Sequence, residues 1–161
     1  AVITVSDKGY AGEREDLSGP AAAKILEEHG YEVVETMIVP DEPKMLKRQL
    51  IRLADSRQVD LILTSGGTGF SMRDQTPEAT VAVADRMVPG IAEAIRSGSM
   101  EITKTAMLGR GVSVLRKRSL IVNLPGSPKA VQESLSFIID TLEHGLRVLR
   151  GEAFECAGQE D

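Results

Sequence analysis

Three features of the sequence predict a three-layer α/β fold, with a mostly parallel sheet covered by helices on both faces. Short continuous apolar runs such as "VDLILTS" and "SLIVNL" mark strands buried on both sides. These runs alternate with stretches whose apolar residues recur at helical spacing. The 161 residues are 42 % hydrophobic but only 3 % aromatic, so the core is aliphatic, a profile common in α/β proteins. A chain of this length suits one domain spanning residues 1–161.

The elements follow in order. "AVITVS" is a β-branched strand, "DKGYAGERED" a polar loop, and "SGPAAAKILEEHG" a helix with Pro20 in its first turn, Ser18 as cap and Gly30 as terminator. "YEVVETMIV" reads as the second strand and "PDEPKMLKRQLIRLADSR" as a helix capped near Asp41. After "VDLILTS" comes "TSGGTGFSMRDQ", a glycine loop, and then "TPEATVAVADRM", with Thr76 as cap and Pro77 in the first turn. "PGIAEAIRSGS" is a further helix, and the irregular "MEITKTAMLGRG" follows it. "VSVL" and "SLIVNL" form a hairpin around Arg116, Lys117 and Arg118, which makes one edge of the sheet antiparallel. A long helix running from Ser127 and Pro128 to Arg150 ends the pattern.

Composition removes several function classes. A net charge of -5 argues against a general binder of nucleic-acid backbones, which needs clustered Lys and Arg. No apolar run reaches the ~18 residues of a membrane span and no signal-peptide pattern opens the chain, so a cytoplasmic protein is expected. The chain opens inside a strand, so natural N-terminal residues are expected to be missing. Cys156 has no partner for a disulfide, and His29 and His144 lack the spacing of a metal site.

In an open parallel sheet, ligands sit beyond the carboxyl ends of the strands. Ser65, Gly66, Gly67, Thr68 and Gly69 occupy such an end, and glycines let backbone N–H groups approach an anion closely. No Gly-Lys-Ser/Thr follows, so this is not a Walker loop, and a plain tight turn also explains the Gly-Gly pair. Asp41 and Asp74 lie just past two strand ends, where Mg²⁺ would reconcile carboxylates with a phosphate. Each has an alternative, Asp41 as a helix cap and Asp74 as a partner of Arg73 or a nearby amide. Pro125, Gly126, Ser127 and Pro128 form a third strand end whose helix start can face an anion. Arg73, Lys104 and Lys129 are candidate cationic helpers, and Asp7, Asp16, Ser18 and Gly19 belong to the first loop.

"VSDKG…DLSGP", "VPDE", "SGGTG" followed by "RDQTPEA", "PGIAEAIR" and "LIVNLPGSPKAV", in this order, resemble the molybdenum cofactor family that contains bacterial MogA and MoaB and the G domains of gephyrin and its plant counterpart. The resemblance covers nearly the whole chain and is nearer to the MogA and G-domain branch. It implies the MogA/MoaB-like fold, a homotrimer, and adenylylation of molybdopterin by Mg²⁺ and ATP with release of pyrophosphate. It also implies hand-over of the product to a molybdenum-insertion protein. The family's functional acids fall on Asp41 and Asp74. Its pterin-phosphate contacts fall on the glycine loop, including Thr68, and on Ser99, and its nucleotide contacts on Gly66, Gly67 and the "PGSP" turn. The family serine of "AMLSR" is Gly109 here, which removes a hydroxyl near the pterin site. A MoaB-like binder without turnover, a nucleotide-hydrolysing domain and an interaction module are the rival expectations. The apolar faces between Pro77 and Met100 suit either a subunit interface or burial within the monomer.

Overall fold

The computed structural model describes residues 1–152, so Cys156 lies outside the described residues. Strands β1 (Val2–Val5), β2 (Thr36–Val39), β3 (Leu61–Ser65), β4 (Arg86–Met87), β5 (Ser113–Arg116) and β6 (Ser119–Leu124) form one sheet in the order β2-β1-β3-β6-β5-β4. The pairs β1–β2, β1–β3 and β3–β6 are parallel, whereas β5 runs antiparallel to both β6 and β4. The predicted hairpin edge is therefore present. Its turn places Lys117 at φ 49°, a strained conformation for a residue with a side chain.

The helices are α1 (Asp7–Tyr10), α2 (Ser18–Glu28), α3 (Pro43–Ile51), α4 (Thr76–Val81), α5 (Pro89–Met100), α6 (Pro128–Ser136) and α7 (Ile139–Arg150). Strand side chains alternate between two cores, as the two-residue period requires. Val2, Leu63, Val122 and Leu124 pack against α2, α5, α6 and α7 through Leu26, Ile95, Leu135 and Leu142. Ile3, Val5, Ile62 and Ile121 pack against α3 and α4 through Leu46, Leu50 and Ala79. Helices on both faces and a sheet lacking aromatic residues are what the composition implied.

Several boundaries differ from expectation. The second strand begins at Thr36 rather than Tyr31: it is a sheet edge, and its pairing with β1 starts at the Glu35 carbonyl, which accepts from the Val2 N–H at 3.0 Å. The first loop contains the one-turn α1, capped by the Ser6 hydroxyl, which accepts from the Gly9 N–H at 3.1 Å. The helix after the glycine loop stops at Val81, and Arg86–Met87 turn into β4 instead. The long final helix is two helices broken at Phe137 and Ile138. Phe137 turns toward Gly98 of α5, where a Cβ would stand 2.7 Å from its ring. Tertiary packing thus sets that break, with no glycine or proline to announce it.

Candidate active site

The chain passes from β1 to β2 on one side and then crosses back from β2 to β3 on the other side of β1, so β1 and β3 flank the switch point of the sheet. A cleft of about 520 Å³ opens there, lined by Thr4, Ser6, Arg14, Glu15, Asp16, Asp41, Ser65, Gly66, Gly67, Asp74, Gly126, Ser127 and Pro128 among others. A second cleft of about 230 Å³ lies beyond β6, between α5 and α6. Its lining includes Thr68, Arg96, Ser99, Thr103, Gly109, Asn123 and Pro125.

The turns that end β3 and β6 divide their residues between the two clefts. Gly66 and Gly67 face the first and Thr68 the second, while Pro125 faces the second and Gly126 to Pro128 the first. The turns are stitched together: Gly66 N–H donates to Leu124 O at 3.2 Å and the Ser65 hydroxyl to Pro125 O at 2.9 Å. Gly66 has φ 103°, and a Cβ on it would lie 2.4 Å from Val5 O, so only glycine fits between the strand ends. Gly69 lines neither cleft; its carbonyl accepts from Arg110 Nε at 2.8 Å. Ser127 is a true cap, its hydroxyl accepting from Ala130 N–H at 3.2 Å.

Asp41 does not cap its helix. The cap position is Glu42, and the Asp41 carboxylate reaches back to the first loop, accepting the Asp7 N–H at Oδ2 (2.8 Å) while its own N–H donates to Asp7 Oδ1 (3.0 Å). Burial pushes the Asp41 carboxyl above its ordinary value against that hydrogen bond, and the charges of Asp7 and Asp74 act in the same upward direction. Asp74 accepts the Ser71 N–H at 3.0 Å and leaves Arg73 to Asp7, with contacts of 2.6 and 2.9 Å. Those hydrogen bonds hold the Asp7 carboxyl below its ordinary value. Ser18 does not cap α2: Leu17 holds the cap position, Asp16 just before it accepts the Ser18 and Gly19 amides at Oδ1 at 3.0 Å each, and Ser18 donates to Gly126 O.

The cationic helpers also differ from expectation. Arg73 is bound to Asp7 and Glu42, Lys129 lies 3.7 Å from Glu133, and Lys104 lines neither cleft. Among the described residues the lining cations are Arg14 in the first cleft and Arg96 in the second. Arg96 donates to Gly109 O and Gly111 O at 3.0 Å each. Buried Asn123 at the wall of the second cleft donates to the Thr64 and Thr80 hydroxyls at 2.9 Å and accepts the Val112 N–H at 3.2 Å. It is the single polar side chain in "LIVNLP", and a polar residue inside an apolar strand was the available signal for it.

Among the described residues no cluster of three His, Cys, Asp or Glu is placed to hold a metal through protein ligands alone. The residues fit a different mode. The charge of Asp74 acts on Asp41 across the glycine loop, where a Cβ on Gly67 would stand 3.3 Å from Asp41 Oδ1 and one on Gly69 would stand 2.9 Å from Asp74 Oδ2. Mg²⁺ takes one or two carboxylates and completes its shell with phosphate oxygens and water. Gly109, with φ -67°, has a conformation open to any residue, so backbone strain does not require glycine there.

Comparison with known proteins gives a consistent result. The chain is 39 % identical to the molybdopterin adenylyltransferase of Helicobacter pylori strain ATCC 700392 / 26695, over 93 % of this chain and 86 % of that one. It resembles the crystal structure of the molybdopterin biosynthesis enzyme MoaB from Thermus thermophilus, with 47 % identity, 96 % and 97 % of the two chains covered, and a TM-score of 0.89. For the molybdopterin biosynthesis Mog protein from Mycobacterium ulcerans the figures are 41 %, 92 %, 96 % and 0.85. The model of the probable molybdopterin binding domain matches residues 1–144, and the chain belongs to that family.

Proposed function

We propose that this protein is a molybdopterin adenylyltransferase of molybdenum cofactor biosynthesis, joining molybdopterin to the adenylyl group of ATP. The relatives' names support the activity. The observation that carries it for this chain is the partition: two clefts share the walls formed by the ends of β3 and β6. A hydrolase needs one substrate cleft and water, whereas a transferase must bring two substrates to one boundary.

In this reading ATP occupies the first cleft and molybdopterin the second, its phosphate meeting Thr68 and Ser99. Ser65, Gly66, Gly67 and the turn from Gly126 to Pro128 place backbone around the nucleotide phosphates, Pro125 faces the pterin cleft, and Gly69 anchors the loop from behind. A phosphate oxygen of molybdopterin attacks the α-phosphorus of ATP. A new P–O bond forms, the bond to the α,β-bridging oxygen breaks, and its electron pair leaves with pyrophosphate. The nucleophile is already ionised, so no general base is required and the scarcity of histidine is no obstacle. The barrier is anion meeting anion, lowered by positioning and charge neutralisation.

Asp41 and Asp74 would hold Mg²⁺, which when bound supplies positive charge at the phosphate oxygens. Arg14 stands in a cleft otherwise lined by Glu15, Asp16, Asp41 and Asp74, and balances charge on the departing pyrophosphate. A cytoplasmic setting accords with ATP as substrate, and among the described residues no helix is long and apolar enough to cross a membrane. We also propose a homotrimer and hand-over to a molybdenum-insertion protein; sedimentation of the purified chain at the mass of a monomer would exclude the trimer.

The test is substrate dependence. Pyrophosphate release from ATP is expected only when molybdopterin is present, in equal amount to the adenylylated product. Release without molybdopterin would make the protein a nucleotide hydrolase, and binding of molybdopterin without release would make it a MoaB-like binder.

A further inference from the structure

Three buried side-chain polar atoms lack a hydrogen-bond partner among the described residues: Tyr31 Oη, Thr76 Oγ1 and Ser134 Oγ. Thr76 is the one that abuts the glycine loop. The residue is 2 % exposed, and its N–H donates to Gly67 O at 3.1 Å. A threonine at this place in the sequence is expected to cap the helix, yet Gln75 holds the cap position and no side chain caps α4.

The Thr76 hydroxyl borders the space left by the missing side chain of Gly67. A Cβ on Gly67 would stand 2.3 Å from Thr76 Oγ1 and 3.3 Å from Asp41 Oδ1. Asp41 Oδ2 is taken by the Asp7 N–H, while Oδ1 accepts no hydrogen bond among the described residues. A donor without an acceptor and an acceptor without a donor therefore border one gap, at a position with φ 65° that only glycine fills. Burial of an unpaired hydroxyl lowers fold stability, and such groups are retained where they serve function.

We propose that Thr76 is a positioning residue: when substrate fills the first cleft, the glycine loop shifts and the Thr76 hydroxyl donates to Asp41 Oδ1, fixing that carboxylate for the transfer. Gly66 and Gly67, both at positive φ, give the loop the backbone freedom to move. The inference rests on the reading of Asp41 as a functional acid.

Thr76→Val keeps the shape and deletes the donor, and Thr76→Ser keeps the donor. Thermal midpoints of the ligand-free proteins, kcat, KM for molybdopterin, and the Kd of Mg²⁺ with ATP by calorimetry are measured for both variants and the parent. Thr76→Val is expected to melt at or above the parent, because an unpaired polar group is gone. Its kcat falls ~10-fold and its Kd for Mg²⁺ with ATP rises ~5-fold, on the scale of a lost hydrogen bond to a charged group. KM for molybdopterin stays unchanged, and Thr76→Ser recovers kcat. Parental kcat and Kd in Thr76→Val overturn the proposal, as does a valine variant that melts well below the parent and whose loss serine does not rescue. Absence of adenylyl transfer in the parent would defeat the functional reading instead, and the calorimetric comparison then decides the role of Thr76 by itself.

Discussion

At Gly66 the chain turns with φ 103° less than a side chain's width from Val5 O, and the first cleft depends on that approach. An added methyl would force apart the ends of β1 and β3, because its nearest neighbour is backbone and cannot rotate away. Gly66→Ala is expected to lower stability by ~1–3 kcal/mol and to abolish detectable ATP binding while leaving the second cleft able to bind molybdopterin. Denaturant unfolding and separate titrations with the two substrates check this; equal loss of both affinities would contradict a division between clefts. At Gly109 the situation is reversed, since nothing in its backbone demands glycine and a Cβ would meet Ala106 O at 3.2 Å. Gly109 lines the second cleft, so the serine that the resemblance implies for the family would differ from it in that lining and not in the fold.

At the scale of elements, the hairpin edge is secured by Arg116 and Asp55, joined by contacts of 2.8 and 2.6 Å between β5 and the π-helical turn that extends α3. Their side chains are 19 % and 20 % exposed, so solvent screens them only in part. The hydrogen bonds from Arg116 hold the Asp55 carboxyl below its ordinary value of 3.8. A carboxylate lowered in the fold stabilises it above the unfolded value, and that contribution is lost as pH falls through the folded value. Asp55→Asn is expected to cost ~1–2 kcal/mol at pH 7, and the difference from the parent should shrink as acid titrations pass below pH 4. A difference that persists unchanged at pH 2 would refute the ion pair as its source. The same scale shows what could be read from the residues. Strands β3 and β6 and their terminal turns were legible because continuous apolar runs followed by glycine or proline have few other meanings, and β1 was legible from its β-branched run. The β4 strand of two residues and the break at Phe137 were not, since both arise from contacts with β5 and Gly98 that no local pattern encodes. Asp41 and Asp74 both line the first cleft, and Asp74 meets the nearby Ser71 amide as one of its expected alternatives had it, but the partner of Asp41 was not legible. The choice of Asp7 by both Asp41 and Arg73 depends on two strand ends lying side by side.

At the scale of the whole molecule, the sheet order sets the geometry of the reaction. Parallel β1, β3 and β6 bring three loops to one edge, and the two clefts share the walls formed by the ends of β3 and β6, the boundary at which the proposed reaction would bring the two phosphates together. The fold accommodates both a binding protein and an enzyme, and in the proposed reading the carboxylates on either side of the glycine loop are what an enzyme adds. The most direct measurement is formation of adenylyl-molybdopterin by the parent, Asp41→Asn and Asp74→Asn, with molybdopterin affinity determined for each. Product from the parent, a fall of ~100-fold or more in each variant and unchanged molybdopterin affinity are expected, because the carboxylates act on charge developed in the transfer rather than on the pterin. Variants that make product at the parental rate would contradict the account, and so would a parent that binds molybdopterin and never adenylylates it.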